Sequence, residues 1–199
     1  LDPNTLSEDG TVALTSLSFS KDGKYAAYGT SASGSDWQTY RVREVETGKD
    51  LPEKLEWIKF SSPSWSNDGQ GFYYSRYAAP KEGETYEQMN KNQRLYYHRI
   101  GTDQAQDQLV YERPDQPDWG FGGSVTDDGE YLVIGVWQGT DTRNRIYYRN
   151  LKSNDDTVVK LLNEYDAGYT FVGNTGTQFY YMTNLDAPNQ RLISIDIDN

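Results

Sequence analysis

The chain has 199 residues and a formal net charge of −11 at pH 7, from 19 Lys and Arg against 30 Asp and Glu. This acidic balance argues against nucleic acid and against an anionic membrane surface as partners, because both are bound through clustered basic residues. The absence of Cys excludes disulfides, thiolate metal sites and a cysteine nucleophile.

The first predicted unit covers about residues 13–52 and opens with a β-hairpin. Alternating strands at residues 14–20 and 24–30 flank the turn Lys21-Asp22-Gly23. Asp-Gly between such strands is a strong hairpin signal, because Gly adopts a positive φ without a Cβ clash. Two further strands complete the unit, at about residues 39–45 and 49–51.

The same strand-turn-strand phrase recurs along the whole chain. Its anchor glycines lie 46, 60 and 47 positions apart, at Gly23, Gly69, Gly129 and Gly176. A second phrase marks the predicted third strands of the later units and starts at Arg94, Arg145 and Arg191. A period close to the length of one four-stranded sheet, with a hairpin in each copy, is typical of a β-propeller.

We therefore predict an all-β fold built of antiparallel four-stranded propeller blades, about three to four in number. One partial propeller domain is expected over residues 1–199. Its predicted units lie at about residues 13–52, 57–112, 122–162 and 169–199. The fourth unit shows two or three strands and lacks an outer one.

The second unit is longer than the others because of an insertion at residues 78–92. This segment is polar and lacks the alternation of a strand. Insertions of this kind usually form surface loops, and such loops often carry function.

No catalytic motif stands out in the sequence, so neither catalytic residues, nor metal ligands, nor a cofactor are expected. His98 is the only histidine, and a lone strand histidine is more often packed or exposed than catalytic. The glycines at positions 120, 122 and 123 precede no predicted helix, which argues against a dinucleotide-binding loop. They instead indicate crowded strand backbone near a propeller centre.

The aromatic residues fall into two groups. Those on or beside the repeated phrases are expected in the core: Trp65, Phe72, Tyr73, Phe121, Tyr131, Tyr147 and Phe179. Four others fall near strand ends and are candidates for one face or for a central opening: Trp37, Phe60, Trp119 and Trp137.

Several phrases, most of them outside the repeat, resemble the propeller of the prolyl oligopeptidase family. They are residues 1–4, 9–14 and 31–37, Leu95-Tyr96-Tyr97-His98 with residues 101–104, and residues 114–119. In that family a seven-bladed propeller covers an α/β-hydrolase domain that holds a Ser, Asp and His triad and cleaves short peptides after proline. The chain resembles a middle portion of that propeller only, and Leu1 is no initiator Met. The resemblance therefore implies a fragment or truncated product that is inactive as a peptidase alone.

The resemblance also implies roles for individual residues. Asp36 matches a carboxylate that faces the hydrolase domain and pairs with a substrate-binding arginine there. Phe60 matches an aromatic that lines the pocket two residues upstream of the scissile proline. Trp137 stands where some relatives carry an arginine that binds acidic substrate groups, and Thr140 where they carry a cysteine. The insertion at residues 78–92 matches a loop that gates substrate entry.

The partners implied by the resemblance are the hydrolase domain of the parent chain and short proline-containing peptides. A cytoplasmic location is expected from the lack of Cys, of a bilayer-spanning apolar run and of a signal peptide at the given N-terminus. The alternative is a stand-alone propeller that binds a protein or peptide. Four units cannot close a ring of seven, which argues against that alternative.

Overall fold

The computed structural model describes residues 1–80 and 90–198, and in them the regular structure is almost entirely β. Two short 3₁₀ turns lie at Pro3–Thr5 and Gln104–Gln106. The strands form four antiparallel sheets, each with its strands paired in chain order, and we call these sheets blades 1 to 4. The prediction of an all-β partial propeller is confirmed, and the four blades do not close into a ring.

Blades 1 to 3 have four strands and blade 4 has three. Blade 1 consists of β1 (Val12–Phe19), β2 (Tyr25–Ala32), β3 (Gln38–Glu44) and β4 (Leu55–Ile58). Blade 2 consists of β5 (Ser64–Trp65), β6 (Gly71–Arg76), β7 (Arg94–Arg99) and β8 (Gln108–Tyr111). Blade 3 consists of β9 (Trp119–Val125), β10 (Tyr131–Gln138), β11 (Arg145–Asn150) and β12 (Val159–Leu162). Blade 4 consists of β13 (Tyr169–Thr175), β14 (Gln178–Thr183) and β15 (Arg191–Asp196).

The outer strand of blade 1 lies later in the chain than the sequence pattern indicates. Instead of residues 49–51, it is β4, whose Leu55 and Ile58 are fully buried. Asp50 makes only an isolated bridge to Arg43 and accepts from the Arg43 guanidinium at 2.7 Å. The stretch before β4 is therefore a tethered connection, and the burial of apolar side chains places the strand.

Buried side chains fill the spaces between consecutive blades. One cluster joins blades 1 and 2, a second joins blades 2 and 3, and a third joins blades 3 and 4. All seven aromatic residues predicted to be in the core are buried there. Many of the rings meet edge to face, for example Tyr131 and Phe179 with centroids 5.1 Å apart, a favoured aromatic geometry.

In each Asp-Gly hairpin a hydroxyl side chain donates to the turn Asp. In blade 1 the Ser20 hydroxyl donates to Asp22 at 2.7 Å and accepts from the Tyr25 amide at 3.0 Å. The Ser20 hydroxyl, followed by the Lys24 amide, lowers the pKa of the Asp22 carboxyl to about 2. Ser66 and Thr126 occupy the same position in blades 2 and 3.

These turns lie together at one end of the blades. The Asn67 amide reaches the Asp127 carbonyl at 3.4 Å, and the Asn174 amide donates to the Asp128 carboxylate at 2.7 Å. Lys21 also donates to the Asp127 carbonyl. Because strands alternate in direction, the β2–β3, β4–β5 and β10–β11 connections lie at the opposite end, which we call the loop face.

His98 is a packed residue inside blade 2. It is fully buried, and its Nδ1 lies 2.7 Å from Asp107. Asp107 also accepts from the Tyr74 hydroxyl, which in turn accepts from the Gln104 amide at 3.0 Å. Gln104 exchanges two hydrogen bonds with the Glu56 backbone of blade 1. This network therefore links two blades.

Candidate functional site

The four residues singled out by the sequence lie together at two cavities on the loop face. An inner cavity of about 610 Å³ is lined by Asp36, Phe60 and Trp137. An outer cavity of about 410 Å³ is lined by Phe60, Trp137 and Thr140. Phe60 and Trp137 therefore stand at the boundary between the two cavities, with Asp36 on one side and Thr140 on the other.

A tight turn places Asp36 at the inner cavity. The β2–β3 connection has positive φ at both central positions, Ser33 (52°) and Gly34 (71°), as in a type I′ turn. The Ser35 amide closes this turn by donating to the Ala32 carbonyl at 3.0 Å. Asp36 follows directly and is exposed, so its carboxylate is available to a group that approaches the loop face.

Phe60 is held outward in a strained backbone conformation. Its φ is 53°, and its side chain is 51 % exposed. Both neighbours are fixed by hydrogen bonds: the Gln93 amide donates to the Lys59 carbonyl at 2.8 Å, and the Ser75 amide donates to the Ser61 hydroxyl oxygen at 2.8 Å. Left-handed φ at a bulky non-glycine residue is rare and clusters at functional sites.

An aromatic group behind Phe60 supports this loop. Trp37 meets Trp57 and Tyr77 edge to face, at centroid distances of 5.9 and 6.0 Å. The buried Lys59 ammonium lies 4.0 Å from the Trp37 ring centroid and donates to Asn90 at 3.1 Å. Sequence reasoning missed the contributions of Lys59, Trp57 and Tyr77, since their contacts with Trp37 join residues about 20 to 40 positions apart in the chain.

Trp137 lies against a glycine surface on the neighbouring strand. Gly120 is directly opposite Trp137 in the β9–β10 pair. A Cβ placed on Gly120 would lie 2.3 Å from indole atoms, and one on Gly122 would lie 3.3 Å from the indole. The crowding at Gly120 and Gly122 is therefore by the Trp137 side chain, and at Gly123 it is by two leucine side chains, instead of by strand backbone as predicted.

Trp119 forms part of the outer cavity and is clamped between two arginines. The Arg113 and Arg145 guanidinium carbons lie 4.7 and 4.3 Å from its ring centroid. The Arg145 guanidinium also lies 4.1 Å from the Tyr165 ring centroid. This alternation of cations and rings fixes Trp119, which is 8 % exposed, as a rigid wall.

The cavity linings carry acidic but no basic side chains among the described residues. Asp36 lines the inner cavity, and Asp118 and Asp141 line the outer one. The Lys91 ammonium, outside the lining, lies 3.8 Å from the Asp118 carboxylate. The Arg143 guanidinium donates to Asp141 at 2.6 Å and holds the pKa of that carboxyl well below its usual range. A cationic or neutral ligand group suits this lining better than an anionic one.

The gating loop expected at residues 78–92 falls largely on residues 81–89, which lie outside the described part of the chain. Asn90, at its end, lines the outer cavity. Across residues 1–80 and 90–198, no group of three or more Asp, Glu or His could hold a metal ion. No helix in this part of the chain is long and apolar enough to cross a membrane.

Comparison with known protein families finds one match along the whole chain. Residues 1–199 match the family described as "Prolyl oligopeptidase, N-terminal beta-propeller domain". The chain is 39 % identical over 199 residues to a prolyl endopeptidase of Elizabethkingia meningoseptica. The alignment covers 100 % of this chain and 28 % of that relative. It is 38 % identical over 218 residues to prolyl oligopeptidase A of Amanita bisporigera, in an alignment that covers 99 % of this chain and 28 % of that relative.

Solved structures give the same picture at the level of the fold. Prolyl oligopeptidase B from Galerina marginata, bound to a 35mer hydrolysis and macrocyclization substrate, superposes with a TM-score of 0.90 at 32 % identity. The match covers 100 % of this chain and 29 % of that structure. The chain thus spans less than a third of the length of the relatives that it matches.

Proposed function

Because the chain belongs to the prolyl oligopeptidase family, as an N-terminal β-propeller portion, we propose that it covers the active site of a serine peptidase that cleaves short peptides after proline. The observation that carries this proposal is the convergence of Asp36, Phe60, Trp137 and Thr140 on two adjoining cavities of one face. Asp36, Phe60 and Thr140 come from three separate connections, and Trp137 comes from strand β10, so their convergence is a property of the fold.

In this proposal each residue has a distinct role at the boundary between two domains. The exposed Asp36 carboxylate pairs with an arginine of a hydrolase domain, since paired Arg and carboxylate groups form strong bidentate hydrogen bonds. Phe60 contacts the substrate side chain two residues upstream of proline. Trp137 offers that side chain an apolar surface, and Thr140 lies at the outer end of the same pocket.

We further propose that the chain supplies substrate selection and gating while a hydrolase domain supplies the chemistry. Acyl transfer to serine requires a base beside the nucleophile. The chain has no Cys and a single His, and that His98 is fully buried against Asp107, away from both cavities. The isolated 199 residues are therefore expected to have no peptidase activity.

The alternative, a stand-alone propeller that binds a protein or peptide, fits the end blades less well. Leu17 and Phe19, 46 % and 56 % exposed, share the face of β1 opposite the one packed on blade 2. Val172 and Leu192 of blade 4 are 58 % and 59 % exposed. Apolar sheet faces of this kind favour coverage by further blades. A monodisperse, thermostable monomer of the 199 residues in light scattering would favour the alternative.

The test compares the whole protein that contains this chain with its Asp36→Asn variant on a fluorogenic blocked Gly-Pro amide. Loss of a charge-assisted hydrogen bond worth about 1.5–3 kcal/mol lowers kcat/KM by about tenfold or more. Asp127→Asn is the matched control, because Asp127 is also exposed but lies at the opposite end of the blades. Equal kcat/KM for Asp36→Asn and the parent, or turnover by the isolated chain, would contradict the proposal.

A further inference from the structure

The Trp137 indole packs directly on the Gly120 backbone and occupies the space that a Cβ at position 120 would fill. We infer that Gly120, by leaving room for this indole, determines which substrate side chains the cavities on the loop face accept. The inference rests on the proposed function and names the substrate class: a peptide with a flat side chain, an aromatic ring or a guanidinium, two residues upstream of proline. Acidic side chains are disfavoured at this position.

The first step is steric. A Cβ on Gly120 would lie 2.3 Å from both Cε2 and Nε1 of Trp137, and 2.6 Å from Cζ2. Carbon atoms in contact are normally about 3.5–4.0 Å apart. Any residue other than glycine at position 120 therefore displaces the indole.

The second step is that this space is specific to the indole. Gly135 lies on the same strand as Trp137 and pairs with Gly122. A Cβ there would meet nothing nearer than the Gly122 carbonyl oxygen at 3.9 Å. Glycine is thus sterically required under the ring at position 120 and not at position 135, so the two positions form a matched pair for experiment.

The third step links the indole to the ligand. Trp137 is only partly buried, and the cavities it shares with Phe60 are its open side. On the outer side the lining adds Tyr77 and Trp119. Flat groups stack on such rings, and a guanidinium gains a cation–π attraction as well.

The fourth step concerns charge. Asp118 and Asp141 are the charged residues of the outer lining, and no Lys, Arg or His of the described chain lines either cavity. The two nearby cations, Lys91 and Arg143, are already paired with these carboxylates. An acidic substrate group would therefore find no unpaired cation in the lining and would lose solvation. Aromatic and guanidinium groups avoid that cost, which sets the expected order of preference.

The test uses the whole protein and the peptide amides X-Gly-Pro, with X as Phe, Arg, Ala or Glu and a fluorogenic leaving group. A blocked Gly-Pro amide, which lacks X, normalises each variant for its folded fraction and its chemistry. For the parent we expect kcat/KM to be highest with Phe and Arg and at least about tenfold lower with Glu. Glu equal to or better than Phe and Arg would overturn the inference.

Gly120→Ala should reduce the normalised preference for Phe over Ala by about tenfold, while Gly135→Ala leaves it unchanged. Trp137→Ala should remove the same preference, and Gly120→Ala should then have no further effect in that background. The double variant should also recover the thermal stability that Gly120→Ala loses, since coupled positions are not additive. An unchanged preference in Gly120→Ala, or additive effects in the double variant, would overturn the inference. A parent that cleaves no proline peptide would instead refute the proposed function.

Discussion

Phe60 shows how the site depends on strain in single residues. Its φ of 53° follows closely on the φ of 62° at Trp57, and a left-handed conformation costs a non-glycine residue about 1–2 kcal/mol. Burial does not offset this cost at Phe60, because its side chain is half exposed. The hydrogen bonds that fix its neighbours Lys59 and Ser61 do so instead, and the Tyr77 amide holds the Trp57 carbonyl in the same way at 2.9 Å.

This strain gives a prediction about two small substitutions. Phe60→Gly should be more stable than Phe60→Ala by about 1 kcal/mol, since glycine accepts a positive φ while alanine does not. Urea unfolding of both variants of the whole protein measures the difference. At the exposed Lys54, whose φ is not positive, the same pair should reverse its order. Equal or reversed stabilities at Phe60 would show that the loop relaxes to a negative φ.

At the scale of elements, the hydroxyl–carboxylate turn is the local unit that repeats from blade to blade. In blade 3 the Thr126 hydroxyl donates to Asp128 at 2.6 Å and accepts from the Tyr131 amide at 3.0 Å. Thr126 is 2 % exposed, so its polar atoms have no access to water as a substitute. The turn therefore depends on a hydroxyl at this position, which Ser20 supplies in blade 1.

The matching prediction compares Thr126→Val with Thr126→Ser. Valine keeps the volume but leaves the Tyr131 amide and the Asp128 carboxylate without this partner, which should lower the free energy of unfolding by about 1–3 kcal/mol. Serine keeps the hydroxyl and should cost less than about 1 kcal/mol. Chemical denaturation of the whole protein distinguishes them, and a valine variant as stable as the serine variant would show that the turn does not need the hydroxyl.

What the sequence could predict at this scale depends on how far apart in the chain the interacting residues lie. The hairpins are encoded within a few residues, so the anchor glycines predicted the blades and their order. The outer strand β4 was placed wrongly, because its position depends on burying Leu55 and Ile58 against blade 2. The position of Trp137 over Gly120 joins residues 17 positions apart in opposite strands, a pairing whose register the repeat alone does not give.

At the scale of the whole molecule, stability comes from tyrosine-rich layers between blades. Tyr40 and Tyr74 lie in the layer between blades 1 and 2, and Tyr147 and Tyr181 in the two later layers. All four are almost completely buried. A buried phenol must stay neutral, since its ionised form would lose its solvation, so the layers are stable only while these groups keep their protons.

Burial raises the pKa of Tyr73 to about 12, from an ordinary value near 10. Above pH 10 the unfolded chain releases the Tyr73 proton while the folded chain keeps it, so stability falls as pH rises from about 10 to 12. The expected loss is about 1.4 kcal/mol per pH unit for each such tyrosine. Tyr40, Tyr77 and Tyr169, with pKa values raised to about 12, add to the same loss.

Tyr73→Phe tests this link between burial and pH. Within residues 1–80 and 90–198, the Tyr73 hydroxyl makes no hydrogen bond. The ring centroids of Tyr73 and Tyr97 lie 4.9 Å apart, a contact that phenylalanine keeps. The variant should match the parent at pH 7 and exceed its free energy of unfolding by about 1.4 kcal/mol at pH 11. Urea unfolding of the whole protein at both pH values measures this. A Tyr73→Phe advantage that is the same at pH 7 and pH 11 would mean that Tyr73 ionises in the folded state as readily as in the unfolded chain.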